Sequence, residues 1–179
     1  MATDQRLTRE YSVREEARRD YRTGITSRAA IARHPIHPIL VVFPIAFLLG
    51  ALVTDIVYWQ TTNVFWAEMS YWLLVGGVVT AVVAAVAGLV DFLSINRVRD
   101  HAAGWVHAGL NTAVLIIALL NMFWRQGNVE EPILPWGIAL SALSAVLLGI
   151  SGWYGGELVY RYKIGVFGDV REAEETPHR

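Results

Sequence analysis

Cysteine is absent from this chain of 179 residues. Its absence excludes disulfides, thiolate catalysis, cysteine-held iron–sulfur clusters and covalently attached c-type haem. Any metal must be held by histidine, carboxylates or neutral oxygens. Charge is scarce as well. Only 17% of residues are charged, against about 25% in an ordinary soluble domain. That charge is concentrated at the start, where residues 1–33 carry eight arginines and five acids. There is no short apolar core near Met1. A cleavable signal peptide is therefore not expected, and the first apolar run would act as its own insertion signal. No nucleophile–base pair has a recognisable spacing, so an electron carrier or a subunit is expected rather than a stand-alone enzyme. The arginine-rich start is also acidic, and nucleic acid is not expected as a partner.

Hydrophobic residues are abundant, at 54% of the chain. Four apolar runs stand out, at 38–59, 71–93, 102–124 and 135–154. Each is about 20 residues long, the length at which an α-helix crosses a hydrocarbon core of about 30 Å. A soluble bundle would need polar outer faces, and these runs are apolar all round. The expected fold is an all-α integral-membrane four-helix bundle with up-down-up-down topology. Residues 1–33 would form a polar cytoplasmic segment, with a helix at 8–21 whose glutamates and arginines are spaced for pairing. Residues 34–166 would form the four-span domain and residues 167–179 a cytoplasmic tail.

An even number of spans puts both flanks on one side. That side holds Arg6, Arg9, Arg14, Arg18, Arg19, Arg22, Arg28, Arg33, Arg97, Arg99, Arg161, Lys163, Arg171 and Arg179, whereas the other holds only Arg125. The positive-inside rule then makes both termini cytoplasmic. Trp59, Trp66, Trp72, Trp124 and Trp136 gather at the opposite span ends, as an aromatic belt does. Pro44 should kink the first span. Gly77, Ala81 and Ala85 in the second span, and Ser141, Ala145 and Gly149 in the fourth, form rows of small residues where helices can approach closely. Asp55 and Glu68 are expected to reach interfacial water. Asp91 lies deeper and would pair with Arg97 or Arg99, or orient a histidine.

Two histidines precede the first apolar run, in His34-Pro35-Ile36-His37-Pro38. Each stands before a proline and should be extended, with the helix starting near Pro38. His37 then sits at a helix N-terminus, where the dipole favours the neutral, ligating form of imidazole. His107 lies early in the third run, with Ala103, Gly104 and Asn111 on its face. Small neighbours leave room for a flat cofactor or for close packing. Three readings stand for His37 and His107: ligation of one b-type haem, hydrogen bonding to a carbonyl, Asn111 or Asp91, or a proton relay, quinone contact or non-haem metal. Zinc lacks obvious further ligands, although His34, Asp91 and Glu157 are available for recruitment. Gly155-Gly156 either ends the fourth span before an anchor of Tyr160, Arg161, Tyr162 and Lys163, or folds back beneath His37.

The stretch from His34 through Phe43-Pro44-Ile45-Ala46, then Gly88-Leu-Val-Asp91, His107 with Asn111, and Gly152-Trp-Tyr-Gly155-Gly156-Glu-Leu-Val-Tyr160 resembles the DUF2231 family of predicted bacterial membrane proteins. The resemblance covers about residues 33–166. It carries a distant similarity to two-haem, b561-type membrane cytochromes, which implies a four-helix bundle and haem. Relatives joined to redox domains point the same way. The chain departs from the family at Val42, where many relatives have histidine in a His-Phe-Pro motif. A ligand role there would pass to His37.

The resulting expectation is a small integral-membrane redox component. It would hold one haem b near the cytoplasmic face through His37 and His107, beside Asn111 and Gly104, and exchange electrons with quinone or a redox complex. The alternative is a cofactor-free accessory or scaffolding subunit, which small-residue faces would suit for association with lipid-embedded partners or with its own copies.

Overall fold

The computed structural model describes residues 24–166. The polar helix expected at 8–21 and the tail from 167 lie outside the described residues. Described structure begins with a small hairpin, β1 (Ala30–Ile31) and β2 (His34–Pro35), paired antiparallel. Helices follow in the order α1 (Ile36–Leu40), α2 (Val42–Thr61), α3 (Val64–Ser94), the short α4 (Asn96–Arg99), α5 (Ala102–Trp124) and α6 (Trp136–Tyr160). A single 3-10 turn, Glu131–Ile133, precedes α6.

The first apolar run is broken at Val41, between α1 and α2. Pro44 has no N–H for the carbonyl of Leu40, and its ring crowds that same turn. The helix starts earlier than expected, at Ile36, with Pro35 as N-cap. His37 is therefore helical rather than extended. It and Pro38 occupy the first turn, where N–H groups have no intrahelical partner and proline costs little. His34 is in β2, extended as expected.

α3 also starts early, at Val64 rather than Tyr71, so Thr62 and Asn63 alone join it to α2. Thr62 takes a left-handed conformation at φ 50° to close α2, and the Asn63 side chain accepts from the N–H of Phe65 to open α3. α6 runs through Gly155-Gly156 to Tyr160, so those glycines do not end it.

Four helices or helix pairs are long and apolar enough to cross a membrane: 36–61, 64–94, 102–124 and 136–160. Only 17% to 28% of their most apolar windows is buried inside the protein. Val79, Val86, Leu93, Leu120, Phe123 and Val146 all face outward. A soluble bundle cannot leave such a surface wet, whereas lipid solvates it. The protein is a membrane protein.

α2 packs against α3 and α6, and α5 packs against α6 and α3. α2 and α5 thus stand diagonally opposed and, in up-down-up-down order, run in the same direction. The mid-bundle core is Leu48, Ala51, Leu74, Val78, Val114 and Ala118. A second cluster at one end joins Ile95, Val98, Ala103, Leu158 and Ile164. The flanks meet at that end: Ile25 N–H donates to Lys163 O at 2.8 Å, and Gly165 N–H donates to Ile25 O at 2.7 Å.

The small-residue rows are not quite those expected. Gly77 is buried against Leu48, but Ala85 is exposed. The inward face of α3 follows Ala67, Ser70, Leu74, Gly77, half-buried Ala81, Ala84 and half-buried Gly88 in alternating steps of three and four, with buried Val78 and Ala87 beside that row. A strict step of four drifts about 40° each time and leaves the contact face, whereas the alternation stays on it. On α6, Ser141 is buried, but Gly149 has nothing within 4 Å of a Cβ added to it.

Candidate functional site

Two side-chain pairs cross the bundle diagonal between the first and third spans. His37 and His107 form one, near the basic flanks. Asp55 and Arg125 form the other, near the opposite end. Eighteen residues separate the members on each span, about 27 Å of helix. At both ends α3 and α6 supply further polar partners, joined by an asparagine of α5.

The histidine rings stand 6.1 Å apart, centroid to centroid, at an interplanar angle of 89°. His37 Nδ1 is 2.9 Å from the carbonyl of Ala84 on α3. His107 Nδ1 is 2.9 Å from the carbonyl of Ser151 on α6 and 3.1 Å from its Oγ. A carbonyl can only accept, so each Nδ1 carries the proton and each Nε2 presents its lone pair. Asn111, one turn further along α5, points its amide at His107 Nε2 at 3.2 Å and donates to Ser151 Oγ at 2.8 Å.

Glycine makes this arrangement fit. A Cβ on Gly88 would lie 2.8 Å from Cε1 and Nδ1 of His37. One on Gly155 would lie 2.9 Å from His107 Cε1. The rings occupy the volume that two side chains would take. Gly88 and Gly155 stood in motifs noticed in the sequence, but their service to the two rings was not legible there. Gly104, expected to leave room beside His107, instead sits against the Val98 carbonyl, 2.0 Å from where its Cβ would be. It permits the tight turn from α4 into α5, not space for a cofactor.

The other expected residues are elsewhere. His34 is exposed, with Nδ1 2.9 Å from Ala32 O in the hairpin. Glu157 pairs with Arg161 one turn on, at 2.8 Å. Asp91 neither orients a histidine nor takes Arg99. Its carboxylate accepts from Ser27 Oγ at 2.6 Å and from the N–H groups of Arg28 and Ala29 at 2.7 and 3.0 Å. The Arg99 guanidinium donates to the carbonyls of Phe92 and Leu93 and to Asn96 Oδ1, near the negative end of α3. Val42 is 55% exposed on the outside of α2, so position 37 rather than 42 faces His107.

At the far end the expectation for Asp55 is overturned. It does not reach interfacial water; it is fully buried, as is Arg125. Arg125 donates to both carboxylate oxygens, at 2.6 and 2.8 Å. Ser70 donates to Oδ1 at 2.5 Å and Ser141 to Oδ2 at 2.7 Å. Asn121 accepts from Arg125 Nε at 2.9 Å and donates to Gly137 O at 3.1 Å. Carboxylate and guanidinium saturate each other, which makes a buried charge pair tolerable. The signal was present: Arg125 is the lone basic residue at its end, and Asp55 the lone acid of the first span. Glu68, by contrast, is exposed.

Among the described residues, no three histidine or carboxylate side chains come together as a metal would need. The profile of a family described as "Predicted membrane protein (DUF2231)" matches residues 33–168. The chain belongs to that family. The match takes in Arg33 of the hairpin turn, all four spans and both cross-bundle pairs. No curated protein and no solved structure matches the chain.

Proposed function

We propose that this DUF2231 protein is a small redox component of the bacterial plasma membrane. It holds one b-type haem between His37 and His107 and passes electrons to or from quinone or a membrane partner. The observation that carries the reading is the diagonal imidazole pair. The two rings, from different spans, are brought to 6.1 Å of each other, so a haem bound here would draw both of its protein ligands from them. Each Nδ1–H is held by a backbone carbonyl, the outer partner that fixes tautomer and ring orientation in ligating histidines. Two neutral imidazoles, each with an unprotonated Nε2, would be the donors to the haem iron. One bond must be exchanged: Asn111 donates to His107 Nε2, and ligation replaces that contact.

The bound group would supply one-electron exchange in an apolar surround. The chain's own part is to hold two neutral imidazoles rigidly through Ala84 and Ser151 and to keep charge away from them. The fourteen-to-one distribution of basic residues supports a cytoplasmic position for both flanks, on the side of the histidines.

The test is a reduced-minus-oxidised spectrum of protein expressed with haem supplied and purified in mild detergent. A Soret and an α band, both lost in His107→Ala, are expected. A colourless, folded protein rejects the reading. The second reading is a cofactor-free accessory subunit. It is favoured by the polar atoms of His107 all finding partners inside the bundle. Co-purification of a defined partner with colourless protein would support it.

A further inference from the structure

Beside the hairpin, Thr26, Ser27, Arg28, Ala30 and Arg33 line an open cavity of about 450 Å³. It lies at the end of the bundle that also carries Arg97, Arg99, Arg161 and Lys163. Two features hold its walls. Asp91 binds the Ser27 hydroxyl and the N–H groups of Arg28 and Ala29, which fixes the segment bearing Arg28. The hairpin turns through Ala32 and Arg33, both left-handed at φ 47° and 67°, which brings Arg33 to the same cavity. That turn type usually uses asparagine and glycine, so this chain accepts backbone strain to place an arginine there.

Exposed apolar residues lie close to the two arginines in the chain. Ile31 is 71% exposed and Ile39 54%, and the exposed face continues down the first span through Val42 and Phe43. A basic cup on a hairpin that leads directly into a greasy helix face matches one amphipathic ligand. Its anionic phosphate would meet Arg28 and Arg33, and its acyl chains would lie along α1 and α2. Asp91 takes three neutral donors and keeps its charge, but the two arginines outnumber that one carboxylate at the cavity. We propose that this cavity binds the headgroup phosphate of an anionic phospholipid. The site is independent of the histidine pair and stands whether or not haem is bound.

The test is native mass spectrometry of the full chain in mild detergent, titrated with phosphatidylglycerol, phosphatidylcholine or inorganic phosphate. Retention of phosphatidylglycerol over phosphatidylcholine is expected. Arg28→Gln and Arg33→Gln should each weaken it about fivefold, while Arg161→Gln leaves it unchanged. Equal binding by wild type and both cavity variants overturns the proposal. So does equal weakening by all three variants, which indicates diffuse charge, or displacement of the lipid by millimolar inorganic phosphate, which indicates a free-anion site. If either glutamine variant fails to fold, Arg28→Lys and Arg33→Lys take their place. They should retain lipid selectivity, and its loss in a folded lysine variant overturns the proposal.

Discussion

Replacing Asp55 by asparagine removes one charge and almost no volume. In the native protein the carboxylate accepts two guanidinium N–H bonds and two serine hydroxyls, all within 2.8 Å. The amide keeps one acceptor and turns a donor toward Arg125 or a serine. Arg125 then remains fully buried with no counter-charge. Breaking a buried pair from one side costs about 3–5 kcal/mol, because the orphaned ion stays desolvated. For a chain of this length that is a fall of about 10 °C in the unfolding midpoint. The double variant Asp55→Leu/Arg125→Met removes both charges and should recover most of the loss, since apolar replacement of a whole pair is often neutral. The assay is thermal unfolding in mild detergent, followed by near-ultraviolet circular dichroism. A single variant within about 1 kcal/mol of wild type would refute the claim that this pair holds the bundle. A double variant no better than the single would refute the claim that the orphaned charge is the cause.

Three further outcomes are expected. Gly155→Ala drives a Cβ into the His107 ring, which Ser151 and Asn111 hold in place, and should cost about 1–3 kcal/mol; Gly149→Ala, with open space around it, should be neutral or slightly favourable in the same unfolding assay. Asn63→Ala removes the cap of α3 and should cost about 1 kcal/mol, whereas Thr62→Gly relieves a left-handed residue and should not destabilise. Asp91→Ala should speed amide hydrogen exchange at Arg28 and Ala29 while leaving exchange at Ala51 and Leu74 unchanged; equal protection in both proteins would remove Asp91 from its anchoring role.

The membrane bundle was legible because each span states it alone, through some twenty consecutive apolar residues. The break near Pro44 was legible for the same local reason, a missing N–H. Boundaries were harder. The start of α3 at Val64 was hidden by the polar Thr61-Thr62-Asn63 turn and by Glu68, which together read as a long loop, although Asn63 is a good capping residue. The glycines of α6 read as a terminus because glycine so often ends helices. In lipid, where no water competes for backbone groups, a helix passes through them and the missing side chains serve a neighbour.

His37 and His107 could be named from position in the chain, because a polar ring at the entry to an apolar run or inside one is conspicuous and the span count puts both at one end. Composition and periodicity were enough to establish four helices, their alternation and the asymmetry of charge, since these are sums over local sequence. Tertiary structure alone decided that Asp55 meets Arg125 seventy residues away, that Asp91 anchors the hairpin, and that Gly88 and Gly155 seat the two rings. Such pairings depend on how each helix is rotated and raised against the next. A shift of one residue turns a side chain by about 100°, so a hydrophobic pattern that is apolar all round carries almost no information about which way it points.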